Sequence, residues 1–162
     1  MARDRVLAAG DVKMNEIAKS AGVGQGTLYR HFPTREALLA EVYRDDVAVL
    51  VAAAPQLLTR HQPVEALRLW FGRVAQYARV KRGIFSAATE SAREQLVGHS
   101  AQPIHDAVTA LLDAGKATGE IRQDVEARDV ILLLGFLTRL DDAEWEVRAD
   151  RILDVIRAGL RP

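Results

Sequence analysis

Residues 14–39 read MNEIAKSAGVGQGTLYRHFPTREALL, and this run decides the fold class. Met14, Ile17, Ala18 and Ala21 fall at i, i+3, i+4 and i+7, which makes one apolar stripe on a two-turn helix. Gly22 follows at once. A glycine there takes up the left-handed conformation that ends a helix, and Val23 then tucks into the angle with the next one. That second helix, Gln25 to Phe32, buries Leu28 and Phe32 at i and i+4 and leaves Gln25, Thr27, Tyr29, Arg30 and His31 for its other faces. The spacing predicts a tight helix-turn-helix whose second member presents a hydrogen-bonding, partly basic surface without acids. Such a surface suits the major groove of DNA, where Gln reads adenine, Thr meets a thymine methyl, and Tyr, His or Arg reaches phosphate. A plain helical hairpin, with Tyr29 covering a core and its hydroxyl in water, fits the same spacing.

The rest of the chain is helical by the same criteria. Period-two alternation is absent and Ala, Leu, Arg and Glu dominate. Breakers at Gly10, Gly22, Pro33, Pro55, Pro63, Gly83, Gly98, Pro103, Gly115, Gly119 and the pair Asp141, Asp142 divide 162 residues into about nine segments. Long helices are expected over Arg35 to Ala53, Val64 to Lys81, Ile104 to Thr118, Glu126 to Leu140 and Glu144 to Leu160, with another over Ile84 to Leu96. The fold class is therefore all-α, a helix-turn-helix head followed by a larger antiparallel bundle. The division is expected near residue 44, with residues 1–44 as the DNA-binding domain and 45–162 as the ligand-binding and dimerisation domain.

Composition bounds the chemistry. No cysteine is present, so disulfides, thiolate nucleophiles and thiolate metal sites are excluded. The longest apolar runs, Val47 to Pro55 and Val130 to Leu137, are far short of the ~20 residues of a membrane span. Nothing resembles the apolar core of a secretory signal, so a cytoplasmic location is expected. Zero net charge hides a gradient: residues 1–83 hold 13 basic and 8 acidic side chains, residues 84–162 hold 9 and 14. A basic N-terminal half favours an anionic partner.

Glu16-Ile17-Ala18, Ala21-Gly22-Val23, Gly26-Thr27-Leu28-Tyr29, Phe32 and Arg35-Glu36-Ala37-Leu38 together closely resemble the DNA-binding signature of TetR-type transcriptional regulators. The resemblance is specific over residues 14–39 and architectural beyond them. It implies that Gln25 to Phe32 is the recognition helix, with base-edge roles for Gln25 and Thr27 and phosphate contacts for Tyr29 and His31. Arg30 shares that helix, and Arg35, where the family often has Lys, is expected to clamp phosphate. Thr34 is the expected N-cap of the following helix.

Two positions depart from the pattern. Lys13 stands where the family usually has a capping Ser or Thr. Lys reaches phosphate but cannot accept first-turn amides, which costs about 1 kcal/mol. The family's long first helix, which covers the hairpin, is represented only by Val6-Leu7-Ala8-Ala9-Gly10 before Asp11. Either the DNA-binding module is weakened or chain is missing between Gly10 and Asp11, and the second is the favoured expectation.

The resemblance further implies that Arg35 to Ala53 links the head to a bundle that receives a small hydrophobic effector. Trp70, Phe71, Val74, Tyr77, Phe85, Leu133, Phe136 and Leu137 are the candidate pocket residues. Val130 to Leu137 is apolar all round its helix and so needs cover on two sides. Ala149, Ile152, Leu153, Ile156 and Leu160 form a second apolar face. Together they suggest a four-helix dimer contact through Val130, Ile131, Leu134, Ile152, Leu153 and Ile156, although a single central helix inside a monomer fits the same pattern.

Other chemistry is thin. His31, His61, His99 and His105 lie on different segments, so no metal site is expected, and no phosphate loop, nucleophile elbow or HExxH occurs. No cofactor and no enzymatic activity are expected. The sequence reads as a homodimeric, ligand-responsive repressor of palindromic operator DNA. The alternative is a dimeric small-molecule-binding protein of the same fold that has lost operator binding.

Overall fold

The computed structural model describes residues 13–162, and the described residues contain helices and no strands. The short lead-in Val6 to Gly10, and the chain expected to be missing after it, lie outside the described residues. Seven α-helices follow: α1 (Met14–Ala21), α2 (Gln25–His31), α3 (Arg35–Leu58), α4 (Pro63–Ala87), α5 (Glu90–Ala117), α6 (Ala127–Leu134), which runs on into a 3₁₀ turn (Gly135–Thr138), and α7 (Asp142–Gly159).

Helix starts follow side-chain chemistry. Thr34 Oγ1 accepts from the Ala37 amide at 3.1 Å, Thr89 from Ala92 at 3.4 Å, and Asp141 Oδ1 from Glu144 at 2.8 Å. The Asp129 carboxylate accepts the Glu126 amide at the head of α6 (2.9 Å). Pro63 begins α4, where its missing N–H is no loss. The acidic pair Asp141, Asp142 thus marks a helix start, as expected.

Several expected breaks are absent. Pro55 lies inside α3, Gly83 inside α4, and Gly98 and Pro103 inside α5. The segment expected over Ile84 to Leu96 is divided between α4 and α5, and the true break is at Ala88 and Thr89. Burial accounts for this. A mid-helix Gly costs about 1 kcal/mol and a Pro about 3, whereas burying one large aliphatic side chain contributes about 1.5–3. Ala53, Ala54 and Leu57 are buried beyond or beside Pro55, Ile84 beyond Gly83, and Ala107, Val108, Leu111 and Leu112 beyond Pro103. The expected helix over Glu126 to Leu140 tightens into the 3₁₀ turn after Leu134.

The core lies between the long helices. α3 packs on both α4 and α5, α4 on α5, the 3₁₀ turn and α7, and α5 on α6. Trp70 of α4 is fully buried, and its indole N–H donates to the Leu50 carbonyl of α3 at 3.0 Å. One continuous helix, α3, passes through the division expected near residue 44, so head and bundle share it. Its 24 residues make a rod of about 36 Å at ~1.5 Å per residue.

Candidate nucleic-acid interface

The head is built as its spacing predicts. Met14, Ile17 and Ala18 are buried; Ala21, the fourth stripe position, is exposed at the last turn of α1. Gly22 ends the helix at φ 68°, ψ 25°, and the Val23 amide reaches back to the Ala18 carbonyl at 3.0 Å. Only glycine takes that φ without steric cost. Val23 lines the groove between the two helices beside Ile17 and Leu28 and stays 40% exposed. At the start of α1 the Lys13 side chain makes no capping bond, in keeping with its chemistry, and Asn15 Oδ1 instead accepts the Glu16 amide at 2.9 Å.

On α2 only Leu28 is buried, and Phe32, just past its end, is half-buried. Gln25, Gly26, Thr27, Tyr29, Arg30 and His31 are all exposed, Tyr29 to 47%. The helix has no acidic residue in its first turn, and Arg30 and His31 occupy its last. Gly24 and Gly26 flank Gln25, and a Cβ built at Gly26 would meet nothing within 4 Å. Lys13 is exposed and Arg35 half-buried at the start of α3. A hydrophilic, acid-free ridge on an apolar base therefore projects from the head.

The candidate pocket residues separate. Trp70, Val74 and Tyr77 line a cavity of about 120 Å³ with Leu50, Ala78, Lys81, Ile104, Ile131, Leu134, Gly135 and Thr138. Phe71 and Leu137 are buried in the core outside its lining, and Phe85 and Phe136 are partly buried. Leu133 is 51% exposed and faces outward. The candidate dimer residues separate too. Val130, Leu134, Leu153 and Ile156 are buried by the chain's own helices, and Ile131 and Ile152 are half-buried. The exposed apolar side chains of α6 and α7 are instead Leu132, Leu133, Val147 and Val155.

One polar feature has no counterpart in the sequence reading. Tyr77 donates to Tyr43 (2.7 Å), Tyr43 pairs with Ser100 (2.8 Å), and Ser100 donates to the Val97 carbonyl (3.2 Å), all in the buried seam of α3, α4 and α5. Burial pushes the Tyr77 phenol well above the ordinary tyrosine range, so it remains a neutral donor. Partners 57 and 34 residues apart leave no local signal. Among the described residues no group of three or more His, Asp or Glu is arranged to hold a metal, and no helix is long and apolar enough to cross a membrane.

Comparison with known proteins bears on both parts. The sequence profile described as bacterial regulatory proteins, tetR family, matches residues 9–42, and that described as transcriptional regulator SbtR-like, C-terminal domain, matches residues 62–162. Among solved structures, a TetR transcriptional regulator from Streptomyces coelicolor is 41% identical, with 99% of this chain and 98% of that one covered and a TM-score of 0.82. A TetR transcription regulatory protein from Mycobacterium vanbaalenii is 32% identical, with 99% and 90% covered and a TM-score of 0.79. A transcriptional regulator from Cytophaga hutchinsonii, 17% identical with 99% and 95% covered, shares the fold at a TM-score of 0.75. No curated protein sequence matches the chain.

Proposed function

The chain belongs to the TetR family of bacterial transcriptional regulators, and from that premise we propose that it is a ligand-responsive repressor, binding a palindromic operator as a homodimer and released by a small effector. The observation that carries this reading is the outward ridge of α2. Its only buried residue is Leu28, so every polar side chain on it is available to a duplex. Gln25 and Thr27 are assigned to base edges, and Tyr29, His31, Arg30, Lys13 and Arg35 to phosphates. Two heads related by a two-fold axis and spaced by one turn of DNA, about 34–36 Å, would meet successive half-sites. The second copy is assigned to α6 and α7, where Leu132, Leu133 and Val155 leave large apolar side chains in water.

Release is assigned to α3. That helix begins at Arg35, assigned above to phosphate, and carries Leu50 into the wall of the bundle cavity. An effector pressing on Leu50 therefore acts on the same rod that sets the position of the head. The test is selection of bound duplexes from random DNA, followed by titration across salt. A repressor of this kind selects an inverted repeat, and its affinity falls linearly on a log–log salt plot with a slope near −0.9 per neutralised phosphate. Recovery of no palindrome, or a flat salt dependence, would defeat the proposal.

A further inference from the structure

Helix α4 carries three cations within four residues, and they are treated differently. Arg79 reaches Glu146 of α7 at 2.6 Å, and Arg82 bonds both Asp142 and the Leu140 carbonyl. Lys81 lies on another face. It continues the stripe Trp70, Val74, Tyr77, Ala78, whose spacing is that of a core-facing helix, and with them it lines the 120 Å³ cavity. Its ammonium sits 4.9 Å from the centre of the Phe85 ring and makes no ion pair among the described residues. No Asp or Glu lines the cavity, and burial lowers the Lys81 pKa with no carboxylate opposing it. A cation turned toward apolar walls without a counter-charge is costly, and the ring face offsets only part of that.

The other polar groups of the lining are already committed. Trp70 donates to the Leu50 carbonyl, Tyr77 to Tyr43, and Thr138 to the Gly135 carbonyl at 2.9 Å. Lys81 is thus the one side chain of the wall with donors to spare, and the rest of the lining is mainly apolar, its few polar groups already paired. The ligand that complements such a wall has a single anionic end and no other polar group. The volume of about 120 Å³ is enough for a short hydrocarbon chain.

Resting on the effector reading above, we propose that this cavity receives a short-chain monocarboxylate, with Lys81 pairing its carboxylate and Trp70, Val74, Ile104, Ile131 and Leu134 enclosing its hydrocarbon part. Entry supplies from the ligand the counter-charge that α7 supplies to Arg79 and Arg82. It also places the ligand against Leu50 of α3 and beside Tyr77, whose hydroxyl is bonded to Tyr43 of the same helix.

The test is calorimetric titration of the full chain with butyrate, its uncharged isostere butyramide, its cationic counterpart butylamine, and inorganic phosphate. Butyrate should bind at least about tenfold more tightly than butyramide, the scale of a charge-assisted hydrogen bond. Butylamine and phosphate should give no measurable heat. Lys81→Met should abolish the preference for butyrate over butyramide, and Lys81→Arg should retain it. Equal binding of butyrate and butyramide by the parent protein would overturn the assignment without recourse to any variant, as would undiminished butyrate selectivity in a folded Lys81→Met protein. Operator binding is measured separately without ligand. Selective butyrate binding with no affinity for DNA supports the site and defeats the regulator reading, whereas salt-sensitive DNA binding with no carboxylate preference defeats the site alone.

Discussion

Replacing Tyr43 by Phe removes one oxygen from the middle of a buried chain of hydroxyls. Tyr77 donates to Tyr43, and Ser100 donates onward to the Val97 carbonyl. If Tyr43 donates to Ser100 across their 2.8 Å contact, each of the three protons has one acceptor. Tyr43→Phe removes the acceptor that the buried Tyr77 hydroxyl uses, a cost of about 1–3 kcal/mol. Tyr77→Phe strands nothing, because Tyr43 still donates to Ser100, and only the net value of one hydrogen bond is lost, about 0.5–1.5 kcal/mol. At about 2–4 °C per kcal/mol for a chain of this size, central costs of about 2 and about 1 kcal/mol should lower Tm by about 4–8 °C for Tyr43→Phe and by about 2–4 °C for Tyr77→Phe. The double variant no longer contains the stranded proton and should cost less than the sum, with a coupling of about 1 kcal/mol. Thermal and urea unfolding followed by circular dichroism measure all three. Equal losses for the two single variants, or strict additivity, would refute the directed chain.

Substitutions at four further positions probe the head and the bundle. Tyr29→Ala, at an exposed position on α2, should weaken operator binding in a gel-shift titration while sedimentation shows the same oligomer. Thr34→Ala should cost about 1 kcal/mol in urea unfolding by releasing the Ala37 amide, and Thr34→Ser should recover most of it. Within α5 the same change should have opposite signs at two glycines. At Gly98, where nothing lies within 4 Å of a built Cβ, Ala should add about 1 kcal/mol through helix propensity. At Gly115, where that Cβ would stand 2.7 Å from Ile121 Cγ1 and 3.3 Å from its Cβ, overpacking of about 1–3 kcal/mol should reverse the gain.

What the sequence disclosed was what short-range chemistry controls. The α1 stripe, the left-handed Gly22 and the Thr34 cap each depend on nearby residues, and apart from the exposed Ala21 at the end of the stripe each stands where its spacing puts it. Helix ends inside the bundle depend on distant partners. Gly83 and Pro103 carry the marks of boundaries, yet the helices run through them because Ile84, Val108 and Leu111 are buried against other elements. The true break before α5 had a local sign, Thr89 followed by Glu90, which caps and charges a first turn. It was hidden beneath the stronger punctuation of Gly83 and Gly98.

The two functional surfaces differ in legibility for the same reason. On α2 a single apolar position, Leu28, fixes which side is inward, so the exposed residues follow by elimination. On α6 nearly every residue is apolar, and periodicity cannot say that Val130 is inside while Leu132 and Leu133 are outside. Lys81 shows how one misplaced boundary conceals a site. Taken as the last residue of a helix that stops before Gly83, a lysine is unremarkable, since cations suit the C-terminal end of the dipole. Once α4 continues to Ala87, Lys81 is more than a turn from that end, on the stripe that Trp70, Val74 and Tyr77 define. The burial of Ile84, which carries the helix past Gly83, is therefore what turns Lys81 from an ordinary terminal cation into a charge on a cavity wall.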